Sequence, residues 1–128
     1  MTSKNTCTQF RNVDLDIAGE ADDLETFLKS IKSAVVVLMH VGREASVELA
    51  KESVSLEETV TDLVEFICTL EPEAKSIWDR LEFRRANIGI QAAREPHAAS
   101  FAISSRAMQQ LAALRFEIVV TVYAPVTD

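Results

Sequence analysis

Apolar and polar positions alternate from the first ordered stretch of the chain. Val13, Leu15 and Ile17 are separated by Asp14 and Asp16, and this period of two predicts a strand with one buried face that Gly19 ends. The period then changes. Leu24, Phe27, Leu28 and Ile31 follow helical spacing, which predicts an amphipathic helix over 21–32, with Glu20, Asp22 and Asp23 near its positive dipole end. Ala34–Val41 is a Val-rich run without alternation and predicts a central strand. Gly42, Arg43 and Glu44 make a turn with glycine where a positive φ is needed, and Val47 and Leu49 mark the returning strand.

Ser55-Leu-Glu-Glu58 is a capping box and gives the clearest helix start in the sequence. Its apolar stripe runs Leu56, Val60, Leu63, Val64, Ile67 and Leu70, with Cys68 also on an apolar position. Pro72 lacks an amide donor and clashes with the preceding turn, so the segment is either one kinked helix or two. Ala74, Ile77, Trp78 and Leu81 carry the second stripe, with Trp78 expected in the core or at a subunit contact. Ala86, Ile88, Ile90 and Ala92 alternate as another one-faced strand, and 94–100 is a loop. Phe101 and Ile103 form a short strand-like stub. Ser104 then caps a helix with Met108, Leu111 and Leu114 as its buried face. Phe116, Ile118, Val120 and Val122 alternate in the last strand.

The order is β-α-β-β-α-β followed by α-β, which predicts an α+β fold. The expected form is a ferredoxin-like sandwich with an added C-terminal helix and strand, an antiparallel or mixed sheet, and helices on one face. Asp14, Asp16, Ser46, Glu48, Asn87, Gly89, Gln91, Thr121 and Tyr123 would then share the open, polar face. One domain over 1–128 is expected, with 1–11 as a flexible tail.

Composition narrows the function classes. Apolar residues make up 48% of the 128 residues, with three glycines and three prolines, which suits a chain with a real core. The net charge of −7 argues against nucleic acid and anionic membrane as partners, because both reward Lys and Arg. The longest apolar run, Ala34–Met39, is strand-sized, and the polar N-terminus lacks the apolar stretch of a signal peptide. Two distant cysteines, Cys7 and Cys68, make no metal motif and fit a reduced, cytoplasmic protein.

The stretch FAIS, SRAMQQLAALR and FEIVVTVYA resembles the C-terminal signature of a small bacterial family of unknown function: an aromatic-x-Leu-Ser stub, a Leu-rich helix and a final strand ending in Tyr. The resemblance is best from Ser55 to Tyr123 and includes the Leu-Glu-Pro-x-Ala segment around Pro72. The family carries a longer Gly-rich insert where Gly42-Arg43-Glu44 stands here, and Gly where Arg115 stands. The resemblance implies no catalytic residues.

Candidate ligand-contacting residues are few. Asp14 and Asp16, about 7 Å apart on one strand face, could serve as paired carboxylates, or simply solvate that face. Arg84 and Arg85, beside Arg80, could grip an anion, or instead pair with Asp79 and Glu82 at a helix end. Gln91 belongs to the same open face, and Tyr123 is its best stacking or hydrogen-bonding group. His97 sits in a polar loop without a nucleophile motif, and His40 lies in the Val-rich strand as a packed or edge histidine. No phosphate loop, zinc motif or nucleophile elbow occurs, so no catalytic residue, metal or cofactor is expected. The expected function is a non-catalytic protein-interaction module that binds a protein partner or itself as a homodimer. An immunity-like role against a basic partner is a fold-level analogy. The alternative is a small-ligand binder or enzyme using the open sheet face.

Overall fold

The computed structural model describes residues 7–95 and 97–126. Its elements run β1 (Gln9–Ala18), α1 (Ala21–Ile31), β2 (Val35–Val41), β3 (Glu44–Leu49), α2 (Leu56–Cys68), α3 (Pro72–Asp79), β4 (Phe83–Gln91), α4 (Ser105–Ala113) and β5 (Glu117–Tyr123). The fold is α+β, and the five strands form one mixed sheet in the order β2-β3-β1-β4-β5. β1 pairs antiparallel with both β3 and β4, β2 pairs antiparallel with β3, and β5 lies parallel to β4. The order therefore differs from that of a four-stranded ferredoxin-like sheet, because a parallel strand occupies the edge beyond β4.

Period-two burial puts Val13, Leu15 and Ile17 of β1, Ala45 and Val47 of β3, and Ala86, Ile88 and Ile90 of β4 in one core. Onto that face pack Leu24, Phe27, Leu28 and Ile31 of α1, the five-residue stripe of α2, and Ala74, Ile77 and Trp78 of α3. Each buried Val, Leu, Ile or Phe side chain among them contributes roughly 1.5–3 kcal/mol by leaving water, and each alanine less. Trp78 is the hinge of the packing. Its ring meets Phe27 at 6.2 Å and Phe116 at 5.2 Å, and its Nε1 donates to the Leu114 carbonyl at 3.2 Å.

Pro72 divides the long helical segment into two helices. α2 stops at Cys68, and Pro72 takes the first position of α3, where a missing amide costs nothing. The Ser55 hydroxyl accepts from the Glu58 amide and starts α2. Ser104 does the same for α4 through Ala107, while its own amide and hydroxyl donate to Glu57 in the first turn of α2.

Several expectations are corrected. β2 is an edge strand, not a central one. Met108 is exposed; of the expected buried face of α4, Leu111 is buried and Leu114 half-buried, and Ala107 is buried beside them. Cys68 is exposed at the end of α2. Phe101 and Ile103 form no strand. β1 begins at Gln9, so 9–11 belong to the sheet rather than to a tail. Thr8 is tied down as well: its amide donates to the Glu95 carbonyl, and its hydroxyl pairs with both backbone groups of Ala93. Residues 1–6 of the expected tail lie outside the described residues.

Candidate functional site

The face of the sheet opposite the helices is built by the residues that alternate with the core. Asn12, Asp14 and Asp16 of β1 lie between Ser46 and Glu48 of β3 and Arg85, Asn87, Gly89 and Gln91 of β4, with Glu117, Val119, Thr121 and Tyr123 of β5 beyond. Side-chain hydrogen bonds cross this face from strand to strand. The Asn12 amide donates to Asp14 at 3.1 Å and to Glu48 at 3.0 Å. Ser46 and Asn87 donate to the two oxygens of Asp16 at 2.7 and 3.2 Å, and Thr121 donates to the Asn87 carbonyl oxygen at 2.8 Å. Among the described residues, no buried side-chain nitrogen or oxygen lacks a partner.

Gly89 makes the Asn12 position possible. A Cβ there would lie 2.7 Å from Asn12 Oδ1 and 3.6 Å from the edge of the Tyr123 ring. The carboxyl group of Asp14 is pushed up to about 6, first by burial and then by the nearby charges of Glu48 and Asp16. A cleft of about 860 Å³ opens at the end of the sheet, where Arg11, Asn12, Glu48, Gln91 and Tyr123 meet the loop at Lys51 and Ser53. That loop is held to α2 by Asp62, which accepts from Ser53 at 2.6 Å and Lys51 at 3.2 Å. Both bonds hold the Asp62 carboxyl below its usual range, Ser53 foremost.

The fold brings Asp14, Asp16, Gln91, Tyr123 and Arg85 onto one face, but not into one site. Gln91 and Tyr123 line the cleft, and Asp14 reaches its rim through Asn12. The Gln91 amide already donates to the carbonyls of Ala92 and Ala124. Arg85 lies at the opposite end of β4, pairs with Glu117 at 2.8 Å and sits 3.7 Å from the Phe83 ring centre. Arg84 alternates to the helix face and is buried there, so it does not join Arg85 at a rim. His97 is exposed in the connection between β4 and α4. The expected pairing of the arginines with Asp79 and Glu82 is replaced as well. Asp79 binds Lys75, Glu82 binds Arg43, and Arg80 grips Asp23 through two bonds of 2.8 Å. Among the described residues, no three His, Cys, Asp or Glu side chains are placed to hold a metal ion, and no helix is long and apolar enough to cross a membrane.

The surface that sequence reasoning missed is apolar. On β2, Val36, Val37, Leu38, Met39 and Val41 are all exposed, Val41 at 72%. On β5, Ile118, Val120 and Val122 point to the helix side, opposite Ala86, Ile88 and Ile90, yet remain exposed. His40 is exposed on the β2 edge. The signal was present in the unbroken run VVVLM, whose two apolar faces were assigned to a central position.

The chain matches no family model, no curated protein and no solved structure.

Proposed function

We propose that this protein is a non-catalytic interaction module whose apolar sheet edges are its docking elements. The observation that carries the reading is the uncovered apolar surface at both ends of one small sheet. Exposed edge strands of this length are usually blunted with charge, proline or a bulge; β2 between its ends has no Asp, Glu, Lys, Arg or Pro, and its one such device is the extra residue at Leu38. Strand addition supplies such an edge with main-chain partners and covers its side chains. The polar face argues the same way, since its side chains are already bonded to one another. The acidic charge favours a partner whose surface around the contact is basic, as in an immunity-like role.

In this reading the first four strands are a ferredoxin-like sandwich with β5 added outside it. Their order, β2-β3-β1-β4, and antiparallel pairing support that description. The resemblance of the C-terminal half to a small bacterial family of unknown function is consistent with the reading and adds no chemistry.

The test is affinity capture from the source cells with the wild type and with Val37→Lys. A protein recovered by the wild type and lost by the variant supports the module. Equal recovery by both, or none with either, removes β2 as its docking element.

A second reading, a small-ligand site, rests on the cleft beside Gln91 and Tyr123 and on the raised proton affinity of Asp14 at its rim. Native mass spectrometry tests it. Extra mass that leaves on denaturation would support it, and the bare chain mass would count against it.

A further inference from the structure

We infer that β5 pairs with β5 of a second copy of this chain, antiparallel about a two-fold axis through Val120, and joins two sheets into one. The inference rests on the interaction-module reading and names the partner for one of its edges. Three features of β5 carry it.

The first is the direction of its free backbone groups. The Tyr123 carbonyl accepts from the Ala92 amide, so Tyr123 directs its backbone toward β4. By the two-residue period, Ile118, Val120 and Val122 direct theirs outward. Antiparallel pairing centred on Val120 places Val120 opposite its own copy and Ile118 opposite Val122. Outward-directed residues then meet only outward-directed residues, as hydrogen-bonded pairs require.

The second is the side-chain pattern. The same three residues carry the exposed apolar stripe on the helix side, at 43%, 58% and 61%. The two-fold axis sets two such stripes side by side, within direct cross-strand contact. On the other face Val119 meets Thr121.

The third is charge. Each copy carries −7, so self-contact needs a patch where carboxylates do not oppose one another. The axis puts Glu117 opposite Tyr123 rather than opposite Glu117, and Arg85 already pairs with Glu117 within each copy. β2 is less suited to the same role. An extra residue at Leu38 shifts its register against β3 between Val37 and Met39, and such a bulge bends an edge away from straight pairing.

The experiment is sedimentation of the full chain over a low-to-high micromolar series, for the wild type, Val120→Lys, Val120→Glu, an equimolar mixture of those two, and Val37→Lys. The wild type is expected at twice the 14.2 kDa chain mass. Each Val120 variant alone sets like charges across the axis and is expected as a monomer. Their mixture sets Lys against Glu and is expected to restore the dimer, which a variant that had merely misfolded would not do. Val37→Lys stays dimeric. A wild type that remains monomeric, a Val120→Lys protein that remains dimeric, or dissociation by Val37→Lys overturns the inference. A monomeric wild type that still captures a partner sensitive to Val37→Lys would end self-pairing and leave the module reading intact. A monomeric wild type whose captured partner is lost with Val120→Lys would assign β5 to a foreign strand.

Discussion

Arg84 holds Trp78 by its own backbone. The Arg84 Nε donates to the Trp78 carbonyl at 2.8 Å, an Nη donates to the Leu81 carbonyl at 3.0 Å, and the guanidinium lies 5.7 Å from the Trp78 ring centre. Arg84 thereby closes the C-terminal turn beyond α3, where the last carbonyls of a helix have no intrahelical donors. Burial, with the nearby Arg115, lowers its proton affinity from the usual guanidinium range. Its role is structural. Replacing Arg84 with Met keeps much of the volume but removes both donors, and the loss expected is about 2–3 kcal/mol in urea unfolding. Arg84→Lys is expected to recover only part of it, because an ammonium does not reproduce the planar fork.

Arg115 sits at φ 65°, the left-handed conformation that glycine takes without cost. Its Nη1 donates to the Asp79 carbonyl at 3.1 Å on the exposed side of the molecule. Arg115→Gly relieves the strain and loses that bond, whereas Arg115→Ala loses the bond and keeps the strain. The Gly variant is expected to be more stable than the Ala variant by about 1 kcal/mol, measured as the difference of their thermal or urea unfolding curves.

The open face depends on Gly89 for its close packing. In Gly89→Ala the new methyl would meet Asn12 Oδ1 at 2.7 Å and displace the amide that joins Asp14 to Glu48. A loss of about 1–2 kcal/mol is expected. Asn12→Ala also removes the amide but opens room for the methyl. The double variant Asn12→Ala, Gly89→Ala is therefore expected to be more stable than the sum of the single losses implies, and a double-mutant cycle measures that coupling.

Asp14 gives the protein a specific pH response. Its folded carboxyl keeps a proton up to about pH 6, against an ordinary value of 3.8. Between those limits the native state binds more protons than the unfolded chain, so this group's contribution to stability falls as pH rises and the deficit is complete above about 6. Asp14→Asn removes the deficit and still accepts from Asn12. The side chain is half-buried, so solvent screening reduces the effect to the order of 1 kcal/mol. The variant is expected to exceed the wild type in urea midpoint at pH 8 and to converge with it near pH 4.

The element list was legible in the sequence because each signal is local. The alternation through Val13, Leu15 and Ile17, the stripe from Leu24 to Ile31 and the Ser55 cap each depend on neighbours within a few residues, whereas only the structure decided that Pro72 starts a separate helix. The shared face of Asp14, Asp16, Asn87, Gln91 and Tyr123 followed from the same period of two. Strand order did not follow, because pairing is decided by contacts between residues far apart in the chain. β2 illustrates this. Its apolar run suits a strand covered on both faces, yet the sheet places it at an edge, where that run becomes exposed surface. The arginines illustrate it again. Adjacent in sequence, Arg84 and Arg85 are sent by the pleat of β4 to opposite faces, one into the core against backbone carbonyls and one onto the polar surface beside Glu117. Local periodicity determined which side chains travel together, and only the tertiary structure decided what each face meets.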